Sequence, residues 1–169
     1  MQSRTCLLSA LVLSTVVFSV SGATAADLPK EGSYKEIYAS FGTAKATSIG
    51  KERVLIAFDE NGIKVGQGMM DHTTWHCWGL SDIAGGTVNY RGYCVATDPD
   101  GEQFVGDFAG KYPANAKSWS GTLKLTSGAG KYAGISGTET FACHGPEFRP
   151  ATEGTYFQYC EGQGDYKLQ

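Results

Sequence analysis

The chain has 169 residues and a formal net charge of −3, from 14 Lys and Arg against 17 Asp and Glu. This length suits one domain with a real hydrophobic core. Because the basic residues are few and scattered singly, the composition excludes a nucleic-acid-binding surface or a surface for anionic membranes.

Residues 1–26 have the features of a signal peptide. Arg4 lies near the start, an apolar run covers 7–20, and small residues fill 21–26. The run is too short for a membrane span, and its small-residue end suits cleavage. We therefore expect a mature domain over 27–169 that lacks a membrane span and is secreted or periplasmic.

The cysteines predict a disulfide framework. Cys6 lies in the leader, and four cysteines remain: Cys77, Cys94, Cys143 and Cys160. Four cysteines allow three connectivities. The equal spacing within the first two and within the last two is compatible with neighbouring strands joined by a hairpin, which favours Cys77–Cys94 and Cys143–Cys160. Such bonds persist in an oxidising compartment, where each is worth roughly 3 kcal/mol.

Short runs rich in aromatic and β-branched residues predict strands along the whole mature chain. In chain order they cover 34–45, 53–58, 63–70, 87–97, 103–108, 118–126, 137–143 and 155–160. Polar turn sequences separate them, most clearly at 59–62 and 98–101. The count predicts an all-β fold, a single closed antiparallel barrel of about eight strands, because closure removes exposed strand edges.

The ribbon over 122–138 is typical of a strongly curved sheet. Leu123 and Leu125 alternate with polar residues, which indicates a strand with one buried face. A glycine-rich break follows, and Gly134 and Gly137 then permit a bulge or a close strand approach.

This ribbon resembles the Ser/Thr-x-Gly-x-Tyr/Phe-x-Gly-x-x-Gly turn and strand of the allene oxide cyclase and dirigent barrel proteins, particularly small secreted bacterial members. Residues 76–79 and 92–101 look like the cysteine-bearing hairpin of those bacterial barrels, and 156–162 look like their closing strand. The resemblance implies the barrel fold and, as one reading, a cyclase, isomerase or coupling guide for an apolar or phenolic ligand. The plant proteins do not share the cysteine pairs, so no catalytic residue is carried over.

Aromatic residues on the middle strands predict a ligand pocket inside the barrel. Phe104 and Phe108 share a face with Glu102, and Gly92 and Gly106 would leave room there. The predicted ligand-binding residues are Phe104, Phe108, Tyr90, Glu102, Trp75 and His76. The same rings could instead fill the barrel, which at eight strands is just wide enough for its own side chains or one small ligand.

Metal and nucleophile chemistry is not indicated. His72 and His76 are four apart, but on a strand that spacing separates them by about 13 Å, too far to share a metal. Disulfides would consume the thiolates of the neighbouring cysteines, so we expect no metal and no cofactor. General acid–base catalysis stays open, and its candidates are His72, His76, Tyr90, Arg91, Glu102 and Glu139.

Three functions therefore remain: a small-molecule binding barrel, an enzyme or coupling guide acting on a small apolar or phenolic ligand, and a structural or interaction module with a filled core. A wholly apolar pocket would favour the first. A pocket with a buried carboxylate beside Tyr or His would favour the second, and a barrel without a pocket would favour the third.

Overall fold

The computed structural model describes residues 28–144 and 154–169, so the predicted signal peptide lies outside the described residues. Eight antiparallel strands form one closed barrel, which confirms the predicted fold class. The strands are β1 (Glu31–Ile49), β2 (Arg53–Gly66), β3 (Thr73–Ala84), β4 (Thr87–Thr97), β5 (Gln103–Pro113), β6 (Ser118–Gly128), β7 (Ser136–His144) and β8 (Gly154–Lys167). Each strand pairs with the next, and β8 returns to pair with β1.

The strand prediction contains two errors: a turn at 59–62 that divided one strand into two runs, and one strand that was not predicted. Residues 59–62 are not a turn but the middle of β2, in which Glu60 is buried inside the barrel while Asp59 and Asn61 are exposed outside. Gly62 is required there by close approach, because a Cβ would lie 2.4 Å from the Ala39 carbonyl oxygen. The strand β3 was not among the predicted runs, since large rings on both of its faces hide the alternation.

Both predicted disulfides are confirmed. Cys77 and Cys94 are opposite each other on β3 and β4, and Cys143 and Cys160 are opposite each other on β7 and β8. All four are buried. The two pairs lie four strands apart in a closed ring of eight. Each disulfide therefore cross-links two neighbouring strands, and the two disulfides are on opposite sides of the barrel.

Glycines on the inner face are covered by side chains of neighbouring strands. The ring of Phe108 lies so close over Gly92 that a Cβ there would come within 2.4 Å of it, and Leu123 covers Gly106 in the same way at 2.8 Å. The expectation that these glycines leave room for a ligand is therefore wrong. They instead let large side chains lie flat against the barrel wall.

One end of the barrel is closed by two short 3₁₀ turns, Gly68–Met70 and Gly130–Tyr132. Met70 and Tyr132 are almost fully buried beneath these turns. Phe104 belongs to the same layer, where its ring centroid lies 4.7 Å from that of Tyr132 and 5.5 Å from that of Trp75. Among the described residues, no helix is long and apolar enough to span a membrane.

The outer face of β1, β2 and β8 carries an exposed set of large apolar side chains, which we term the outer apolar patch: Ile37, Phe41, Ile63, Val65 and Phe157. Phe41 and Phe157 are opposite each other on β1 and β8, with ring centroids 4.9 Å apart. This patch lies outside the barrel and is separate from the interior described next.

Candidate functional site

The barrel encloses a cavity of about 70 Å³. This volume holds a few water molecules or a small organic group. One wall is mostly apolar and comes from β3 to β6 with Phe58 of β2; its members are Phe58, Trp75, Cys77, Ser81, Tyr90, Cys94, Phe108, Tyr112 and Leu123. The facing wall comes from β1, β2, β7 and β8, where Phe141 and the Cys143–Cys160 disulfide lie beside most of the polar groups. These polar groups are Glu36, Tyr38, Glu60, Lys64, Glu139, Tyr156 and Gln158.

The first polar group on this wall is an ion-pair cluster around Lys64. Its Nζ lies 2.5 Å from Oε1 of Glu36 and 3.0 Å from Oε2 of Glu139. Tyr34 donates a hydrogen bond of 3.2 Å to the same Oε2 of Glu139. Nζ also lies 4.0 Å from the centroid of the Trp75 ring, a cation–π contact. One ammonium thus serves two buried carboxyl groups.

Glu36 is the less satisfied of these two carboxyls. Its Oε2 is buried and has no hydrogen-bond partner in the part of the chain that the structure describes. Burial raises the pKa of Glu36 to about 8, against the opposing effect of Lys64 and with a further contribution from nearby Glu139. Glu36 is therefore largely protonated at neutral pH, which relieves the excess of negative charge around Lys64.

The second polar group is the carboxyl of Glu60, whose partners are all neutral donors. Its Oε2 accepts hydrogen bonds from Gln158 Nε2 at 2.8 Å, Tyr156 hydroxyl at 2.9 Å and Ser40 hydroxyl at 3.3 Å. Its Oε1 accepts one long bond, 3.4 Å, from the Tyr38 hydroxyl. Burial raises the pKa of Glu60 to about 7, although these hydrogen bonds act in the opposite direction.

The two tyrosines beside Glu60 act as donors. Burial, together with the nearby Glu60 carboxylate, raises the pKa of both Tyr38 and Tyr156 far above the usual range for a phenol. Their hydroxyls therefore keep their protons at every pH at which the protein would work. Glu60 is the group in this half of the wall that changes charge near neutrality.

We expect Glu60 to make folding stability fall as pH rises. Its pKa is raised from 4.5 to about 7 on folding, so its contribution is fully present below the unfolded pKa and is lost as pH rises through the folded pKa. Between about pH 5 and pH 7.5 the free energy of unfolding should fall by about 2 kcal/mol because of Glu60. Urea unfolding of wild type and Glu60→Gln at both pH values measures this fall, which should be smaller by about 2 kcal/mol in the variant. Equal pH dependence of the two proteins would contradict this assignment.

Only part of the sequence-predicted site lies at the cavity. Tyr90, Phe108 and Trp75 line it. Phe104 is buried in the neighbouring layer beneath the 3₁₀ turns and packs against the far side of Trp75. It is thus a support for the cavity wall.

Two of the predicted ligand-binding residues lie elsewhere. Glu102 precedes β5, and its Oε2 accepts a hydrogen bond of 3.0 Å from the backbone N–H of Lys131. His76 is on the outer face of β3, where its Nε2 lies 3.1 Å from a carboxylate oxygen of Asp59. Neither is included in the site proposed below.

The candidates for acid–base catalysis divide in the same way. Tyr90 and Glu139 line the cavity. His72 is exposed and pairs with Asp71, and Arg91 is exposed on the outer face of β4. The remaining candidates, Glu102 and His76, have the outer positions just described.

Sequence reasoning missed Glu36, Glu60 and Lys64, which dominate the polar wall. The available signal was parity: Glu36 alternates in step with Tyr34 and Tyr38, which are buried on the same face of β1. Glu60 and Lys64 likewise share the parity of buried Ile56 in β2. A strand drawn through 59–62 would have placed both inside the barrel.

Within 28–144 and 154–169, no group of three or more His, Cys, Asp or Glu side chains is arranged to hold a metal ion. No family model matches the chain, and no curated protein matches it significantly. The function proposed below is therefore argued from the geometry of the cavity.

Proposed function

We propose that this protein is a secreted or periplasmic barrel that binds a small molecule in its cavity, with the apolar part of the ligand against Phe108 and Leu123 and a hydrogen-bond donor on Glu60. One observation carries the proposal. The closed barrel, cross-linked by two disulfides, contains a cavity that combines an apolar aromatic wall with a carboxyl oxygen, Glu60 Oε1, that accepts a single long hydrogen bond from the described residues. Convergent polar groups in an apolar cavity are typical of ligand sites.

The volume of the cavity limits the size of the ligand. About 70 Å³ accommodates a compact molecule, or a compact head group, of only a few heavy atoms. Very small ligands reach at best about −1.5 kcal/mol per heavy atom, so an isopropanol-sized probe is limited to about −6 kcal/mol. This limit corresponds to a dissociation constant of roughly 40 μM, so such a probe should bind no more tightly than that.

Titration with isopropanol, followed by chemical shifts of the protein, tests the proposal. Isopropanol has two methyl groups for the apolar wall and a hydroxyl donor for Glu60. Ser81→Val adds apolar bulk to the cavity lining and should abolish the saturable shifts. Ser118→Val makes the same replacement at an exposed position of β6 and should leave them unchanged.

Saturable binding that is lost in Ser81→Val alone supports the proposal. No binding by wild type, or equal binding by both variants, would overturn it. The remaining reading would then be a structural or interaction module with a filled barrel.

A second function, acid–base catalysis by an isomerase or cyclase, is favoured by one feature of the same site. Glu60 has a pKa of about 7 and lies beside two protonated tyrosine hydroxyls. A carboxylate with such a pKa can take a proton from carbon, while a tyrosine donates a hydrogen bond to the enolate oxygen that forms. The likeness to allene oxide cyclase and dirigent proteins agrees with this second reading.

Deuterium uptake by acetone in D₂O tests the catalytic reading, since each exchange removes a proton from a methyl group and returns a deuteron. Wild type should accelerate exchange above buffer, and Glu60→Gln should not. Equal rates with the two proteins would contradict catalysis and leave the binding proposal standing.

A further inference from the structure

The cavity has no spare positive charge to offset Glu60 when that carboxyl ionises. Glu36, Glu60 and Glu139 bring three carboxyl groups, and Lys64 is the one basic side chain among the described residues lining the cavity. Lys64 is already shared between Glu139 and Glu36, which is largely protonated at neutral pH. Glu60 has only neutral partners among the described residues. The ionised form of Glu60 therefore lacks a counter-ion, which is costly in a buried position.

One acceptor position at this wall is also open. Among the described residues, Glu60 Oε1 has a single hydrogen bond of 3.4 Å, although a carboxylate oxygen can accept two. A buried carboxyl oxygen with unused acceptor capacity needs an explanation, and a ligand that donates a hydrogen bond supplies one.

The facing wall consists largely of aromatic rings. The face of Trp75 attracts one cation already, Lys64 at 4.0 Å. The centroid of the Phe108 ring lies 6.0 Å from that of Phe58 and 6.2 Å from that of Tyr90. Ring faces carry negative electrostatic potential, so desolvated rings favour a cation.

From these three observations we infer that the ligand is a small organic cation: an ammonium group with compact apolar substituents, whose N–H donates to Glu60 Oε1. This inference rests on the proposed function and specifies its ligand class. An anion of the same size would meet like charges from Glu139 and the ionised Glu60, and a neutral donor would leave the ionised Glu60 uncompensated.

Three probes with equal numbers of heavy atoms but different charges show how ligand charge affects binding: isopropylammonium, isopropanol and acetate. Each is titrated into wild type, Glu60→Gln and Asp59→Asn. The two variants remove the same charge from adjacent residues of β2, but Asp59 is on the outer face beside His76.

We expect wild type to bind isopropylammonium roughly tenfold more tightly than isopropanol, since a charge-assisted hydrogen bond adds more than a neutral one. Acetate should not bind. Glu60→Gln should lose roughly tenfold in affinity for the cation while keeping its affinity for the alcohol, and Asp59→Asn should match wild type within about twofold.

The pH dependence of affinity for the cation gives a second readout. Glu60 is faced by Tyr38 of β1, Tyr156 of β8 and the disulfide of Cys77 on β3, none of which titrates near neutrality. Glu36 lines the same cavity and, with a pKa of about 8, ionises toward the upper end of the range. The affinity of wild type should rise between about pH 6 and about pH 8, because isopropylammonium stays charged throughout, and the part of the rise that is due to Glu60 should be absent in Glu60→Gln.

Equal affinity for the alcohol and the cation, or a flat pH profile, would overturn the inference while the proposed function stands. Tightest binding of acetate would also overturn it. Failure of all three probes to bind would overturn both the inference and the proposed function.

Discussion

Replacing Lys64 by methionine should lower the free energy of unfolding by roughly 3 to 5 kcal/mol at neutral pH, the usual cost of removing one partner from a buried ion pair. Lys64 is 3% exposed and is the counter-ion of Glu36 and Glu139. Methionine keeps much of the side-chain volume but removes the ammonium from both carboxyls. Lys124→Met, at an exposed position of β6, is the matched control and should change little.

The pH dependence of the Lys64→Met loss identifies its cause. Without the ammonium, the carboxyl of Glu36 has a folded-state pKa raised further above its unfolded value, because Lys64 opposes the effect of burial in the wild type. A group whose pKa is raised on folding contributes its full stabilisation at low pH, and this contribution is lost as pH rises. Urea unfolding should therefore show the deficit narrowing toward pH 5. If Lys64→Met does not fold, Lys64→Met/Glu139→Gln should recover part of the loss. Equal stability of Lys64→Met and Lys124→Met would contradict the charge account.

Removing the disulfide between Cys77 and Cys94 by a double replacement with alanine should cost roughly 3 kcal/mol, the chain-entropy value for a closed loop of this size. The two cysteines are 17 residues apart and link β3 to β4 directly. Urea unfolding under non-reducing conditions measures the loss. The same replacement at Cys143 and Cys160, also 17 apart, should cost a similar amount.

Non-reducing peptide mapping provides the control for both double variants. Each should retain the other disulfide and no new one. A loss below about 0.5 kcal/mol, or a Cys94–Cys143 cross-link in wild type, would contradict the role given to the paired strands.

The fold could be predicted further than the site because its signals are local. Alternation at Leu123 and Leu125 and the equal cysteine spacing depend on nearby residues, and both expectations were met. Tyr90 and Phe108 were identified as cavity residues for a similar reason, since aromatic residues on a barrel strand often face inward. Local patterns of this kind can be interpreted without knowledge of the strand register.

The polar wall could not be predicted in this way. Asp-Glu-Asn-Gly at 59–62 has the composition of a turn, and Glu60 is satisfied inside a strand by donors that are distant in sequence, of which Tyr156 and Gln158 lie 96 and 98 residues away. Lys64 and Glu139 are 75 residues apart and meet only when the barrel closes. A conflict between local preference and the final fold is expected where a sequence carries function.

The most direct test of the central claim is the position of the bound probe. Intermolecular nuclear Overhauser effects should connect the methyl protons of isopropylammonium, or of isopropanol if only the alcohol binds, to Phe108 and Leu123 inside the barrel. Contacts confined to Phe41 and Phe157 of the outer apolar patch, or no intermolecular contact at saturating probe, would contradict a ligand site in the cavity.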